Sequence, residues 1–123
     1  MAKRVLDVGN CVPDHTAIRT MLEKSFGAEV VRVHGPEDTF EELRKGKFDL
    51  VVINRKLDRD YTDGMDILKA IKADDQLSST PVMIITNFPE YEAAAVAAGA
   101  EPGFGKKALY DDQTQARLAK FLQ

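Results

Sequence analysis

The sequence predicts a three-layer α/β/α fold, with a five-stranded parallel sheet covered by helices on both faces. Three observations predict it. Short apolar, β-branched runs alternate strictly with helical patterns, five times over. The runs are continuous rather than alternating, as in strands buried on both faces. The 123 residues suit one domain with one core, so 1–123 reads as a single domain.

Each element has its own signal. Val5-Leu6-Asp7-Val8 is a short strand, broken by Gly9-Asn10. Pro13 suits the first turn of a helix whose buried stripe is Ile18, Met21, Leu22 and Phe26, and Gly27 stops it. Ala28 to Val33 is a second strand. Gly35-Pro36-Glu37-Asp38 opens a second helix carrying Phe40 and Leu43, which ends at Gly46. Phe48 to Ile53 is the third strand. After a polar loop from Arg55, Asp63-Gly64 leads into a helix with Ile67, Leu68 and Ile71. Thr80-Pro81 precedes a fourth strand, Val82 to Thr86. Pro89 opens an alanine-rich helix that closes at Gly99. Gly103-Phe104-Gly105 is a weak fifth strand. The last helix runs from about Tyr110, with Asp111-Asp112 favourable at its N-terminus and Leu118 and Leu122 as anchors.

Composition narrows the functional classes. A net charge of -3 with no basic face argues against nucleic acid. Cys11 is the only cysteine, so neither an intrachain disulfide nor a thiolate metal cluster is available. No apolar run follows Met1-Ala2-Lys3-Arg4, and none is long enough to span a bilayer. A cytoplasmic protein without membrane attachment is expected. No linker or repeat appears, so no output-bearing second domain is expected.

The element order and length fit the flavodoxin-like strand order 2-1-3-4-5. In that order the first and third strands flank the switch point, so Gly9-Asn10 and Asn54 meet in one crevice. A carboxylate at the end of such a strand could be phosphorylated. A carboxamide cannot, because it is a poor nucleophile and carries no charge to hold a cation.

At this point the pattern resembles the receiver domain of bacterial response regulators, over essentially the whole chain. FDLVVIN ends where the family's phosphoacceptor strand ends. Asp63-Gly64-Met65 is similar to the turn that starts the third helix. Thr86, closing PVMIIT, takes the position of the switch hydroxyl, and Ala98-Gly99-Ala100 resembles the end of the fourth helix. Phe104 resembles the aromatic switch position, and Lys107, three residues on, the family's lysine. Order and spacing together carry the resemblance.

The departures carry the functional expectation. Two adjacent acids that hold magnesium in the family read Gly9 and Asn10, and the acceptor aspartate reads Asn54. The residue after the lysine is usually proline, and here it is Ala108. The loop from Asn54 to Asp63 is about two residues longer than common. Hard divalent cations need oxygen ligands, preferably carboxylates. Magnesium binding is therefore expected to be weak or absent, with no other cofactor.

The resemblance implies a two-component or phosphorelay signalling module, not an enzyme. It is expected to work unphosphorylated, through protein–protein contacts by the fourth helix, fifth strand and fifth helix. No residue is assigned a catalytic role or a metal. The degenerate crevice is Gly9, Asn10, Asn54, Thr86 and Lys107, with Phe104 and Tyr110 as candidates for a partner face. Core packing is an equal reading for Phe104. Two alternatives stand beside this one: a phosphoacceptor that uses a substitute acid such as Asp58, and a small-ligand or anion sensor built on the crevice with Arg55 and Lys56, against which Asp58, Asp60 and Asp63 of the same loop count. Asp58, Asp60 and Asp63 lack the glycine and glutamate of a calcium loop and read as solvated. Cys11 and His15 are too few for a metal site. Asp7, inside a central strand, needs a partner or an altered pKa. Lys107 could pair with it, sit near Asn54 or face solvent, the commoner outcome for lysine.

Overall fold

A computed structural model describes residues 2–123. Five strands form one parallel sheet: β1 Arg4–Val8, β2 Glu29–Val33, β3 Leu50–Asn54, β4 Val82–Ile85 and β5 Glu101–Phe104. Their order is β2-β1-β3-β4-β5, as the alternation predicts. The helices are α1 Val12–Phe26, α2 Pro36–Lys45, α3 Gly64–Ala73, α4 Pro89–Ala97 and α5 Asp112–Leu122, with one 3-10 turn at Lys106–Ala108.

Alternation along each strand divides the core in two. Val5, Leu50, Val52, Met83, Ile85 and Phe104 pack under α1 and α5, against Ile18, Met21, Leu22 and Leu118. Leu6, Val8, Val51, Ile53, Val82 and Ile84 pack against the other layer, with Leu43, Ile67, Leu68, Ile71 and Ala95. Gly27 ends α1 in the left-handed region (φ 64°) and returns its N–H to the Glu23 carbonyl.

Several boundaries move for local reasons. β3 begins at Leu50 and includes Asn54; Phe48 stays outside the strand, beneath the guanidinium of Arg4 (4.3 Å to the ring centre). β2 begins at Glu29, one residue after Ala28. β4 ends at Ile85, leaving Thr86 just beyond it. α5 begins at Asp112, because Asp111 is extended (ψ 146°) and acts as its N-cap. β5 begins at Glu101, earlier than Gly103, and is irregular. Met83 pairs with Glu101 and Ile85 with Phe104, so three steps along β5 match two along β4. Pro102 lies within that step, on an edge strand, where its missing N–H is tolerated.

Candidate functional site

The parallel register brings the carboxyl ends of β1 and β3 side by side, with Val8 opposite Ile53. Gly9 turns the chain there at φ 77°, a conformation that favours glycine. Its carbonyl accepts the Asp58 N–H (2.9 Å) and, at 3.3 Å, the Asn54 carboxamide. Asn54 Nδ2 also donates to the Lys56 carbonyl at 2.6 Å. The Asn54 amide is thus spent on backbone. Fully buried Leu57 lies over Gly9, so a Cβ at position 9 would collide with its side chain.

The loop that carries Leu57 is folded rather than a loose solvated strap. Leu57 N–H donates to the Thr62 carbonyl and Tyr61 N–H to the Leu57 carbonyl. Lys56 and Asp63 form an antiparallel bridge, and Asp60 accepts from the Thr62 hydroxyl at 2.7 Å. Arg59 ties the loop to Glu37 at the start of α2 (3.3 Å). Its three acids diverge. Asp58 and Asp60 are exposed, and Asp63 caps α3 by accepting the Met65 N–H. Among the described residues no group of three His, Cys, Asp or Glu side chains is arranged to hold a metal.

Asn10 does not face the crevice. It is buried, and its carboxamide donates to Asp7 Oδ1 at 2.5 Å. Asp7 is fully buried, and its other oxygen lies 2.6 Å from His15 Nδ1 on α1. Arg32, opposite Asp7 in β2, donates to the Asn10 carbonyl (3.1 Å). Burial pushes the Asp7 carboxyl above its ordinary value, against the opposing pull of the His15 and Asn10 hydrogen bonds and the nearby positive charge. The partner Asp7 requires is therefore His15, supported by Asn10, and Lys107 takes no part. Strand position flags Asp7, but only the packing of α1 on β1 identifies His15.

Beyond Asn54 a groove of about 490 Å³ opens between β3, β4 and α4. Asn54, Arg55, Lys56, Ile85, Thr86, Phe88, Tyr91 and Lys106 line it, with Asn87. Of the two lysines after β5, Lys106 lines it, and Lys107 lines a neighbouring depression instead. Lys106 pairs with Asp14 at 2.7 Å, and that ammonium, helped by the Cys11 thiol, holds the Asp14 carboxyl below the usual carboxylate range. Thr86 accepts the Phe88 N–H through its hydroxyl oxygen (3.2 Å). Of the two candidates for a partner face, Tyr110 is exposed, but Phe104 is buried against α1 and α5 and serves the core.

The predicted site residues thus fall into three groups. Gly9, Asn54 and Thr86 lie along the strand ends, Asn10 turns inward, and Lys107 lies aside. The arrangement does not fit a divalent cation. Position 9 has no room for an acid, position 10 aims at Asp7, and Asn54 offers no charge.

A family model described as the response regulator receiver domain matches residues 11–117. Solved structures are similar over nearly the whole chain. The signal receiver domain of a DNA-binding response regulator from Colwellia psychrerythraea 34H superposes with a TM-score of 0.80 at 21% identity, covering 96% of each chain. The chemotaxis response regulator CheY4 of Vibrio cholerae gives 0.72 at 22% identity, covering 100% of this chain and 98% of that one. A phosphorylated cyanobacterial phytochrome response regulator, RcpA, gives 0.75 at 21% identity, covering 99% and 94%.

Proposed function

This chain belongs to the response regulator receiver family, and we propose that it is a degenerate receiver that signals by protein contact without being phosphorylated. Receiver domains of two-component systems work with partner proteins, among them kinases and output domains, and are in general signalling domains rather than enzymes. The observation that carries the proposal is the closure of the β1–β3 crevice. Leu57 fills the space above Gly9, and the Asn54 amide is spent on the Gly9 and Lys56 carbonyls. Phosphoryl transfer needs an in-line nucleophile and a metal to neutralise developing charge. Asn54 supplies no nucleophile, and the crevice supplies no carboxylate for the metal.

The substitute-acid reading has less support. Asp58 is exposed and does not share the groove with Thr86 and Lys106.

A contact surface on α4, β5 and α5 fits the exposed side chains. Phe88, Tyr91, Val96 and Tyr110 are exposed, and Ala95 is the buried anchor of α4. Arg117 on α5 donates at 2.7 Å to Glu92 on α4 and to the Gly103 carbonyl on β5, which links the three elements. No helix of the described residues is long and apolar enough to cross a membrane.

The test is intact-mass spectrometry after incubation with acetyl phosphate and magnesium. The expected spectrum is unchanged. A stable gain of one phosphoryl group on any aspartate would overturn the proposal.

A further inference from the structure

We propose that the groove between Asn54 and the start of α4 binds a small organic anion with a flat apolar body, without forming a covalent bond, and that Arg55 grips it. The headgroup is a carboxylate or a phosphate monoester. This rests on the reading that Asn54 carries no phosphoryl group.

The charge of the lining selects an anion. Arg55, Lys56 and Lys106 line the groove and no carboxylate does. Lys106 is already paired with Asp14, so it contributes field more than a free donor. Lys56 is exposed and makes no ion pair among the described residues. A bare cation finds no carboxylate here.

Arg55 is the residue prepared for the task. Its guanidinium lies over the Tyr91 ring, 4.1 Å from the ring centre, which fixes the plane of the fork. Its Nε is buried, has no hydrogen-bond partner and is closed to a ligand, which leaves the terminal nitrogens of the guanidinium to meet one. Asp63 forms an ion pair with that nitrogen at 3.6 Å, too long for a hydrogen bond, and the same Asp63 oxygen already accepts the Met65 N–H. An oriented guanidinium with unspent donors matches the paired oxygens of a carboxylate or phosphate. Tyr91 and Asp63 are therefore positioning residues for Arg55.

The other walls select the body of the ligand. Ile85 forms an apolar base, and Phe88 presents an exposed ring edge-on to Tyr91, 5.8 Å between centres. The Thr86 hydroxyl accepts from the Phe88 N–H and keeps its own hydrogen free to donate. The groove volume of about 490 Å³ lies in the range of small-molecule sites. Inorganic phosphate would use the cations and leave the Phe88–Ile85 wall wet.

The experiment titrates the full chain, followed by amide NMR, with phenyl phosphate, benzoate and inorganic phosphate in separate arms. Arg55→Gln and Arg55→Lys are titrated alongside, their folds checked by the unshifted remainder of the spectrum. The expected result is saturable shifts confined to residues 54–56, 85–91 and 106 with at least one aromatic anion. Inorganic phosphate should bind about tenfold more weakly, and both variants should lose about tenfold, since Lys keeps the charge but not the fork. The better of the two aromatic probes identifies the headgroup. Absence of saturable shifts with both aromatic anions at about 10 mM overturns the proposal. So does binding unchanged in Arg55→Gln, or inorganic phosphate binding as tightly as phenyl phosphate. Acetyl phosphate labelling, read by mass, is the separate arm for the premise. Labelling overturns both readings, whereas absent shifts without labelling overturn the anion site alone.

Discussion

Two polar clusters flank the Gly9 turn, and they differ in where they face. On the α1 side Asp7, Asn10, His15 and Arg32 are packed together, with Asp7 and Asn10 bonded to one another inside the core. On the α4 side Arg55, Lys56 and Thr86 line an open groove. Each side holds buried polar atoms without a hydrogen-bond partner, Asn10 Oδ1 and Arg32 Nε on the inner side and Arg55 Nε on the outer. A polar group enclosed among internal partners specifies structure. A polar group that faces an open groove is available to a ligand. By this comparison the inward cluster has become architecture, and the outward groove keeps the capacity to bind.

The sharpest way to break the comparison is Asp7→Ala. It leaves His15 and Arg32 facing an unfilled buried site, and removing one partner of a buried pair costs about 3–5 kcal/mol. Urea unfolding should show that loss. A loss comparable to an ordinary surface change would mean that the inner cluster is not architecture.

Gly9→Asp comes next. It adds a side chain against Leu57 at a left-handed backbone position, and overpacking costs about 1–3 kcal/mol. The same change in a Leu57→Ala background should cost less. Equal costs in the two backgrounds would show that Leu57 is not what excludes an acid from position 9.

The pH dependence sharpens the contrast further. In a His15→Gln background Asp7 is the titrating member of the pair, and burial is then less opposed. A carboxyl raised above its unfolded value contributes stability at low pH, and that contribution fades as pH rises through the folded pKa. His15→Gln should therefore gain stability, relative to Asp7→Asn with His15→Gln, as pH falls toward the ordinary carboxylate range near 3.8. Denaturant midpoints across that window give the sign, and a difference that shrinks on acidification would refute it.

The smallest effect separates the two lysines. Lys106→Ala should let the Asp14 carboxyl rise toward its ordinary value, and Lys107→Ala should leave it where it is. Carboxyl carbon shifts followed through a titration report this directly.

Most of the fold was legible because burial on two faces leaves continuous apolar runs, and glycine and proline mark their ends. Asn54 was legible for the same reason, as the polar residue that closes such a run. Lys106 was not. Counting three residues on takes Phe104 as an outward-facing start, and β5 makes an irregular step beside Pro102 just before it. Phe104 consequently faces the α1–α5 core. The placement of Leu57 over Gly9 was also illegible, since it depends on how the 55–63 loop folds back on itself. Asp7 announced itself as an anomaly, but His15 became its partner only through the packing of α1 on β1.

The central claim is that the crevice, and not merely residue 54, has lost phosphoryl chemistry. The direct measurement is phosphate incorporation from acetyl phosphate, with magnesium, into Asn54→Asp, read by intact mass. The substitution restores the nucleophile and nothing else, because Leu57 still covers Gly9 and Asn10 still faces Asp7. The account predicts no incorporation. Efficient labelling of the single variant would show that a working metal cage survives, and would contradict it.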